Sequence, residues 1–413
     1  MDIRRAIDMQ NRTLTFILAG GVGSRLYPLT ARRSKPSVPF GGKYRIIDFT
    51  LTNCLHSGLR KILVVTQYKS HSLNKHLRDG WSIFNPELGE FITPVPAQMN
   101  VGEHWYEGTA DAIFQNLNLL ERNAPAYTLI LSGDHIYRMD YAAMLQYHEA
   151  SGADVTIACM EVPIHEARAF GVAVVNENQE ITAFEEKPDQ PTPIPSDSKK
   201  SLVSMGLYVF STDFLKMMLI QDKQMEGSSR DFGKDILPLA VKNHKVCAYQ
   251  LGGEQGRVTP DRYWRDVGTI DAYFKANMDL LKFVPPLDIY QYDWSIRTYQ
   301  PQTPPARTIP GKSGAEGIFI NSILAGGVVI SGGNVRDAIL FADVFIDDKA
   351  HIEKAILFNG VHVGADARLK NCIIDKNVQI PPQEQIGYDL PRDRKRFTVT
   401  ESGIVVVPEG FTF

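Results

Sequence analysis

Between Thr13 and about Lys282, short apolar runs alternate with amphipathic stretches. The runs occupy residues 15–20 (TFILAG), 61–66 (KILVVT), 128–133 (TLILSG), 155–160 (VTIACM) and 207–210 (LYVF), and residues 109–123 (TADAIFQNLNLLERN) typify the stretches between them. Strands alternating with helices predict an α/β unit built on a doubly wound, mostly parallel sheet with helices on both faces. Ligands in such sheets collect at the carboxyl ends of strands, which directs attention to the loops after residues 15–20 and 128–133.

Near Phe283 the texture changes. Clustered prolines in residues 283–316 deny a continuous helix or central strand, while Tyr290, Tyr292, Trp294 and Tyr299 make the stretch too aromatic for a free tether. A linker packed on both neighbours is expected. Beyond it three 17-residue segments stack, from Ala338, Ala355 and Cys372, with a fainter copy from Asn321. Aliphatic residues recur at Leu340, Ile346, Ile352, Leu357, Val363, Leu369, Ile374, Ile380 and Ile386, in steps of 6, 6 and 5. Three near-hexapeptide steps per coil predict a triangular parallel β-helix. The division expected is a catalytic unit over residues 1–282, a packed linker over 283–316 and a β-helix over 317–413.

Composition narrows the field. Hydrophobic residues make up 44% and charged residues 22%, with a formal charge of −3, so there is no electrostatic footprint for nucleic acid or an anionic membrane. The amino-terminal residues are too polar for a secretory signal, and no apolar run approaches the ~18 residues needed to span a bilayer. The cysteines, Cys54, Cys159, Cys247 and Cys372, form no CxxC pair and read as reduced, mostly buried thiols. A cytoplasmic enzyme acting on small molecules is the expectation.

The glycine-rich loop LAGGVGSRL spells neither the dinucleotide fingerprint nor the Walker loop. Gly20, Gly21 and Gly23 are followed by Ser24 and Arg25: the glycines admit phosphates to backbone amides, and the guanidinium can grip phosphate oxygens with two donors. Asp134 lies just beyond an apolar strand, where a carboxylate reaches the ligand crevice. A nicotinamide dehydrogenase lacks this glycine spacing and leaves Lys35, Lys187 and the β-helix unexplained. An acetyltransferase activity of the β-helix finds little room in its short coils, despite His351 and His362.

These residues resemble a known family. LAGGVGSRLYPLTARRSKPSVPFGG is similar to the signature of sugar-1-phosphate nucleotidylyltransferases, and YRIIDFTLTNCLHSG, WYEGTADA, SGDHIYRMDY, FEEKP, SMGLYVF, SSRDFGKDILP and YWRDVGTIDAY narrow the resemblance to the glucose-1-phosphate adenylyltransferases. The resemblance runs the length of the chain. It implies a left-handed form of the β-helix, attack by glucose 1-phosphate on the α-phosphorus of ATP, and ADP-glucose and pyrophosphate as products that feed bacterial glycogen synthesis. Arg25, Lys35 and Asp134 become the catalytic set, with Asp134 and Asp266 holding Mg2+. ATP falls to Gly20, Gly21, Gly23, Gln98, Tyr106, Gly108 and Thr109. In this reading Gln98 reads the base edge, Tyr106 brackets the nucleotide, and amides at Gly108 and Thr109 face a phosphate. Glucose 1-phosphate falls to Gly171, Glu186, Lys187, Ser204 and Asp231.

Arg32, Arg33, Arg45 and Arg122 are the basic positions implied to bind anionic effectors such as fructose phosphates, pyruvate or adenine nucleotides, and a homotetramer is implied as the assembly. Pro39 and Val22 depart from the family pattern, standing where other members carry histidine and arginine. A related enzyme using UTP or dTTP and a non-catalytic regulatory subunit are the alternatives; the intact set Arg25, Lys35, Asp134, Lys187 and Asp266 favours a working enzyme.

Overall fold

The computed structural model describes residues 8–98, 104–252 and 262–413. Strands β1 (Thr13–Leu18), β2 (Lys61–Thr66), β3 (Phe91–Pro96) and β4 (Tyr127–Ser132) form a parallel half-sheet in the order β3-β2-β1-β4. Both faces are covered, so these strands read as continuous apolar runs. Phe16, Leu63, Val65 and Ile130 point into one core with Ile113, Leu120 and Leu215. Ile17, Ile62, Val64, Leu129 and Leu131 point into the other with Ile47, Leu51 and Leu77.

Next come β5 (Val155–Pro163), β6 (Gly171–Val175), β7 (Ile181–Glu186), β8 (Lys200–Ser211) and β9 (Val246–Gln250). The long strand β8 runs antiparallel to β4, β5 and β6; β7 pairs antiparallel with β6 and β9 runs parallel to β5. The expected doubly wound sheet is therefore present, with its parallel half beneath the glycine loop.

The stretch at 109–123, read as one helix, forms two, Thr109–Phe114 and Leu117–Asn123. Side chains explain the break. Asn116 Nδ2 donates to Ala112 O at 2.8 Å and to the Tyr106 hydroxyl at 2.9 Å, and Gln115 Nε2 donates to Asp111 Oδ2 at 2.7 Å. Such local bonds compete with the helical ladder.

Parallel rungs build the carboxy-terminal solenoid. Leu340, Leu357 and Ile374 stack in register, as do Ile346, Val363 and Ile380, and Ile352, Leu369 and Ile386. All nine are buried in one core. The solenoid begins earlier than expected: Arg307–Ile309 already pairs in parallel with Val329–Ser331, so the boundary at 317 moves into the proline-rich stretch. Of the linker aromatics only Trp294 is buried, its Nε1 donating to Asn53 Oδ1 at 3.0 Å. Tyr290 and Tyr292 lie largely in solvent, so packing falls to Leu287, Trp294 and Ile296 rather than to the tyrosines.

One wall of the solenoid rests on the catalytic unit. Ile339, Phe341, Ile356, Phe358, Ile373 and Val406 share a buried cluster with Leu26, Leu29, Val38, Phe40 and Tyr273. The turns carrying Arg25 and Lys35 are thus floored by the β-helix.

Candidate active site

After β1 the chain turns at Gly23, whose φ of 67° is left-handed and whose β-carbon would lie 3.1 Å from Thr30 Cγ2 and 3.2 Å from Lys35 Cβ. Glycine is required on both counts. Thr30 Oγ1 fastens the loop by donating to Gly23 O at 2.9 Å. The short helical turn Ser24–Leu26 then buries Leu26 and leaves Arg25 exposed.

Lys35 opens the next turn and is buried, 7% exposed. Its Nζ donates to Asp134 Oδ2 at 2.7 Å and to Asp266 Oδ1 at 2.9 Å. Asp134 stands just past β4. Asp266 arrives from the far end of the unit because Trp264–Asp266 pairs antiparallel with His135–Tyr137, setting Asp266 opposite His135. Burial opposes the Lys35 charge, but the two carboxylates outweigh it and raise its pKa. Burial also pushes Asp134 up, yet Lys35, His135 and hydrogen bonds from Lys35 and Ser132 hold it well below the usual carboxylate range. Asp134, His135 and Asp266 bring ligand atoms within 4.8 Å of one another, and two converging carboxylates are a donor set that fits a hard divalent cation.

Two clefts meet at this ridge. The smaller, about 370 Å³, is lined by Arg25, His135, Gly171, Glu186, Lys187, Ser204 and Asp266, among others. Gly171 and Glu186 are cross-strand partners, and β-carbons at Gly171 and Gly233 would lie 3.0 and 2.7 Å from Glu186 Oε2. Two glycines therefore make room for this carboxylate. Lys187, exposed and at φ 48°, holds its Nζ 3.3 Å from Glu186 Oε1. Strand β8 shifts register between Ser204 and Tyr208, with Gly206 at φ 69°, and Ser204 Oγ accepts from Gly206 N at 3.2 Å. The irregularity turns Ser204 and Gly206 toward the cleft.

The larger cleft, about 740 Å³, is lined by Gly20, Gly21, Gly23, Arg25, Lys35, Tyr106, Gly108, Thr109 and Asp134. Two expectations change here. Gln98 is exposed and does not line the cleft, whereas Gln67 does, its Oε1 accepting from Tyr106 N at 3.1 Å. Gln67 follows β2, so the strand-end rule would have found it. Gly108 and Thr109 line the cleft, while the next two amides are taken by protein: Ala110 N donates to Arg230 O at 2.8 Å and Asp111 N at 3.4 Å. Asp231 lines the larger cleft instead of the smaller, and its carboxylate is spent on Gly233 N, Lys234 N and Thr109 Oγ1. It clasps two segments together. The Tyr106 hydroxyl accepts from Asn116 and donates to Pro96 O at 3.4 Å; burial raises its pKa.

Of the basic positions, Arg122 stands apart. Arg33 is buried against the β-helix, with Nη2 donating at 2.9 Å to both Asp375 Oδ1 and Glu409 Oε2. Arg32 is exposed beside Gly410. Arg45 Nη1 donates to Ser72 O and Oγ at 2.8 and 3.0 Å. Arg122 lies exposed in the last turn of Leu117–Asn123 and is not brought to the others.

Comparison with known proteins agrees with this geometry. The family model described as nucleotidyl transferase matches residues 14–282, and one described as GlmU-like C-terminal hexapeptide matches residues 304–407. A relative from Vibrio cholerae, glucose-1-phosphate adenylyltransferase 2, is 60% identical over 401 residues, covering 97% of this chain and 98% of that protein. Glucose-1-phosphate adenylyltransferases of Hydrogenovibrio crunogenus and Rhodopirellula baltica are 49% and 47% identical, covering 98% and 97% of this chain and 96% and 91% of their own.

Proposed function

Because the chain belongs to the glucose-1-phosphate adenylyltransferases of the nucleotidyl transferase family, we propose that it joins ATP and glucose 1-phosphate to give ADP-glucose and pyrophosphate. The observation that carries this reading is the ridge between the clefts, where Lys35 is held between Asp134 and Asp266 and Arg25 borders both cavities. ATP takes the larger cleft, with its triphosphate over the glycine loop and its base toward Gln67 and Tyr106. Glucose 1-phosphate takes the smaller, with its ring against Glu186 and Ser204 and its phosphate toward Lys187.

A phosphate oxygen of the sugar phosphate forms a bond to the α-phosphorus while the bond from that phosphorus to the α,β-bridging oxygen breaks, and the electron pair leaves with pyrophosphate. The attacking oxygen is ionised near neutral pH, so no general base is needed. Alignment and charge neutralisation carry the rate. Arg25 and Lys35 face the charge that grows on the departing pyrophosphate. Asp134 and Asp266 would hold Mg2+, which supplies Lewis-acid neutralisation of phosphate oxygens when bound. Before that they fix the Lys35 ammonium.

Anionic metabolites act as effectors at the junction of the two units, the assembly is a homotetramer, and the product supplies glucan synthesis in the cytoplasm. The four thiols, free and buried, suit a reducing compartment. No helix among the described residues is long and apolar enough to cross a membrane.

The test is pyrophosphate release from purified protein with glucose 1-phosphate and Mg2+, run separately with ATP, UTP, GTP and dTTP. Release with ATP is expected. Preference for UTP or dTTP would overturn the base assignment, and silence with all four would favour a non-catalytic regulatory subunit.

A further inference from the structure

The segment that enters the helix Thr109–Phe114 gathers three metal-ligating side chains beside the larger cleft. His104, Glu107 and Asp111 each bring a ligand atom within 4.8 Å of the other two. None of them belongs to the ridge of Lys35, Asp134 and Asp266. Glu107 lines the larger cleft, between Tyr106 and Gly108.

The buried member of the group points to a ligand. Asp111 is 1% exposed; its Oδ2 accepts from Glu107 N at 3.1 Å and from Gln115 Nε2 at 2.7 Å, but its Oδ1 is buried without a hydrogen bond among the described residues. Lys223 Nζ stands 3.8 Å from Oδ1, too far for a hydrogen bond, and lies over the Phe114 ring. A carboxylate oxygen taken out of water and met by no donor is costly. One ammonium also leaves two converging carboxylates, Asp111 and Glu107, only partly balanced.

The other two members can turn. Glu107 is exposed, and among the described residues no hydrogen bond reaches its carboxylate; Oε1 lies 3.9 Å from His104 Nδ1, whose own contact is the Trp105 carbonyl 3.0 Å away. A tetrahedral zinc ion holds nitrogen and oxygen ligands at about 2.0–2.2 Å, so its ligand atoms stand roughly 3.3–3.6 Å apart. Rotation of the two accessible side chains around a fixed Asp111 closes the gap. One imidazole with two carboxylates, and a fourth position for water, suits zinc better than Mg2+, which takes oxygen ligands.

We propose that His104, Glu107 and Asp111 form a second metal site, which takes Zn2+ or a cation of the same class, and that the bound ion pins residues 104–111 beside the larger cleft. Tyr106 and Gly108 lie within that span and line the cleft, so the ion steadies its wall from outside the reacting groups. Zinc binding here is independent of the reaction proposed above.

The experiment is titration of Zn2+ into untagged, metal-stripped, full-length protein, with Mg2+ in excess to occupy Asp134 and Asp266 and with no nucleotide, because ATP chelates zinc. His104→Gln and Glu107→Gln change the accessible side chains and spare Asp111. Each is expected to weaken zinc binding at least about tenfold, whereas Asp134→Asn should keep the tight site. Melting temperatures without zinc, expected to match the wild type, show that the variants fold. Hydrogen exchange supplies a second reading: Zn2+ should slow exchange in residues 104–111 of the wild type and not of His104→Gln. Equal affinity in wild type and both variants, loss of the tight site in Asp134→Asn, or exchange unchanged by zinc would each overturn the proposal. ADP-glucose synthesis is assayed in parallel with zinc omitted. Its absence from the wild type would overturn the reading of the reaction, while the zinc affinities would still decide this site.

Discussion

Gly108 lies so close to Arg230 that a β-carbon on it would sit 2.1 Å from the Arg230 carbonyl oxygen. The same carbonyl accepts from Ala110 N, so beside the larger cleft backbone packs on backbone. Gly108→Ala is not strained by its extended φ but by this overlap, which costs about 1–3 kcal/mol or more when the segments must part. The expected outcome is a lower melting temperature and a KM for ATP raised about tenfold, with the KM for glucose 1-phosphate changed less. Thermal unfolding and initial-rate kinetics check both.

Asp134→Asn removes one of the two carboxylates that hold Lys35 while preserving volume. Turnover should fall at least about 100-fold, equivalent to roughly 3 kcal/mol of transition-state stabilisation, and Mn2+ binding followed by electron paramagnetic resonance should weaken. Unchanged turnover would remove Asp134 from the reacting set.

Lys187→Ala takes away the cation at the mouth of the smaller cleft. The KM for glucose 1-phosphate should rise about tenfold or more, with the KM for ATP within about twofold. A defect confined to ATP would contradict the placement of the two substrates.

Lys376 gives a pH signature. Burial, followed by Arg33 and Arg45, pushes its ammonium down to about 8 from the ordinary 10.5. Between those values the unfolded chain binds more protons than the folded one, so this group makes stability rise as pH climbs from about 8 to about 10.5. Below about 8 its full penalty is present. Lys376→Met should therefore melt higher than wild type at pH 7, and the difference should shrink toward pH 10. A difference independent of pH would show that the ammonium is not penalised by its surroundings.

Much of this arrangement was legible in the sequence. The repeat from Ala338 set the solenoid register because inward aliphatics recur with one period and pair in register. The glycine loop marked the ridge because the left-handed turn at Gly23, tight against Thr30 and Lys35, favours glycine. What stayed hidden depended on contacts between distant segments. Nothing near Asp231 signals that Thr109 will claim its second oxygen. Nothing near Gln98 signals that Gln67, on another strand end, lines the cleft instead. Asp266 needed the antiparallel pairing with His135 to come beside Asp134, and the 109–123 pattern gave no weight to Asn116 and Gln115, whose side chains divide the helix.

Ile356 and Phe358 touch no cleft. They belong to the solenoid wall that shares a buried cluster with Leu26, Leu29 and Val38, so shortening Phe358 to alanine would leave a void of the kind that costs about 3–5 kcal/mol in the core that also seats the turns carrying Arg25 and Lys35. A survey for inactivating variants confined to cleft-lining residues would pass over these positions, and Phe358→Ala is expected to lower activity with every cleft-lining group in place. The positions expected to support the clefts therefore extend into the rungs of the β-helix.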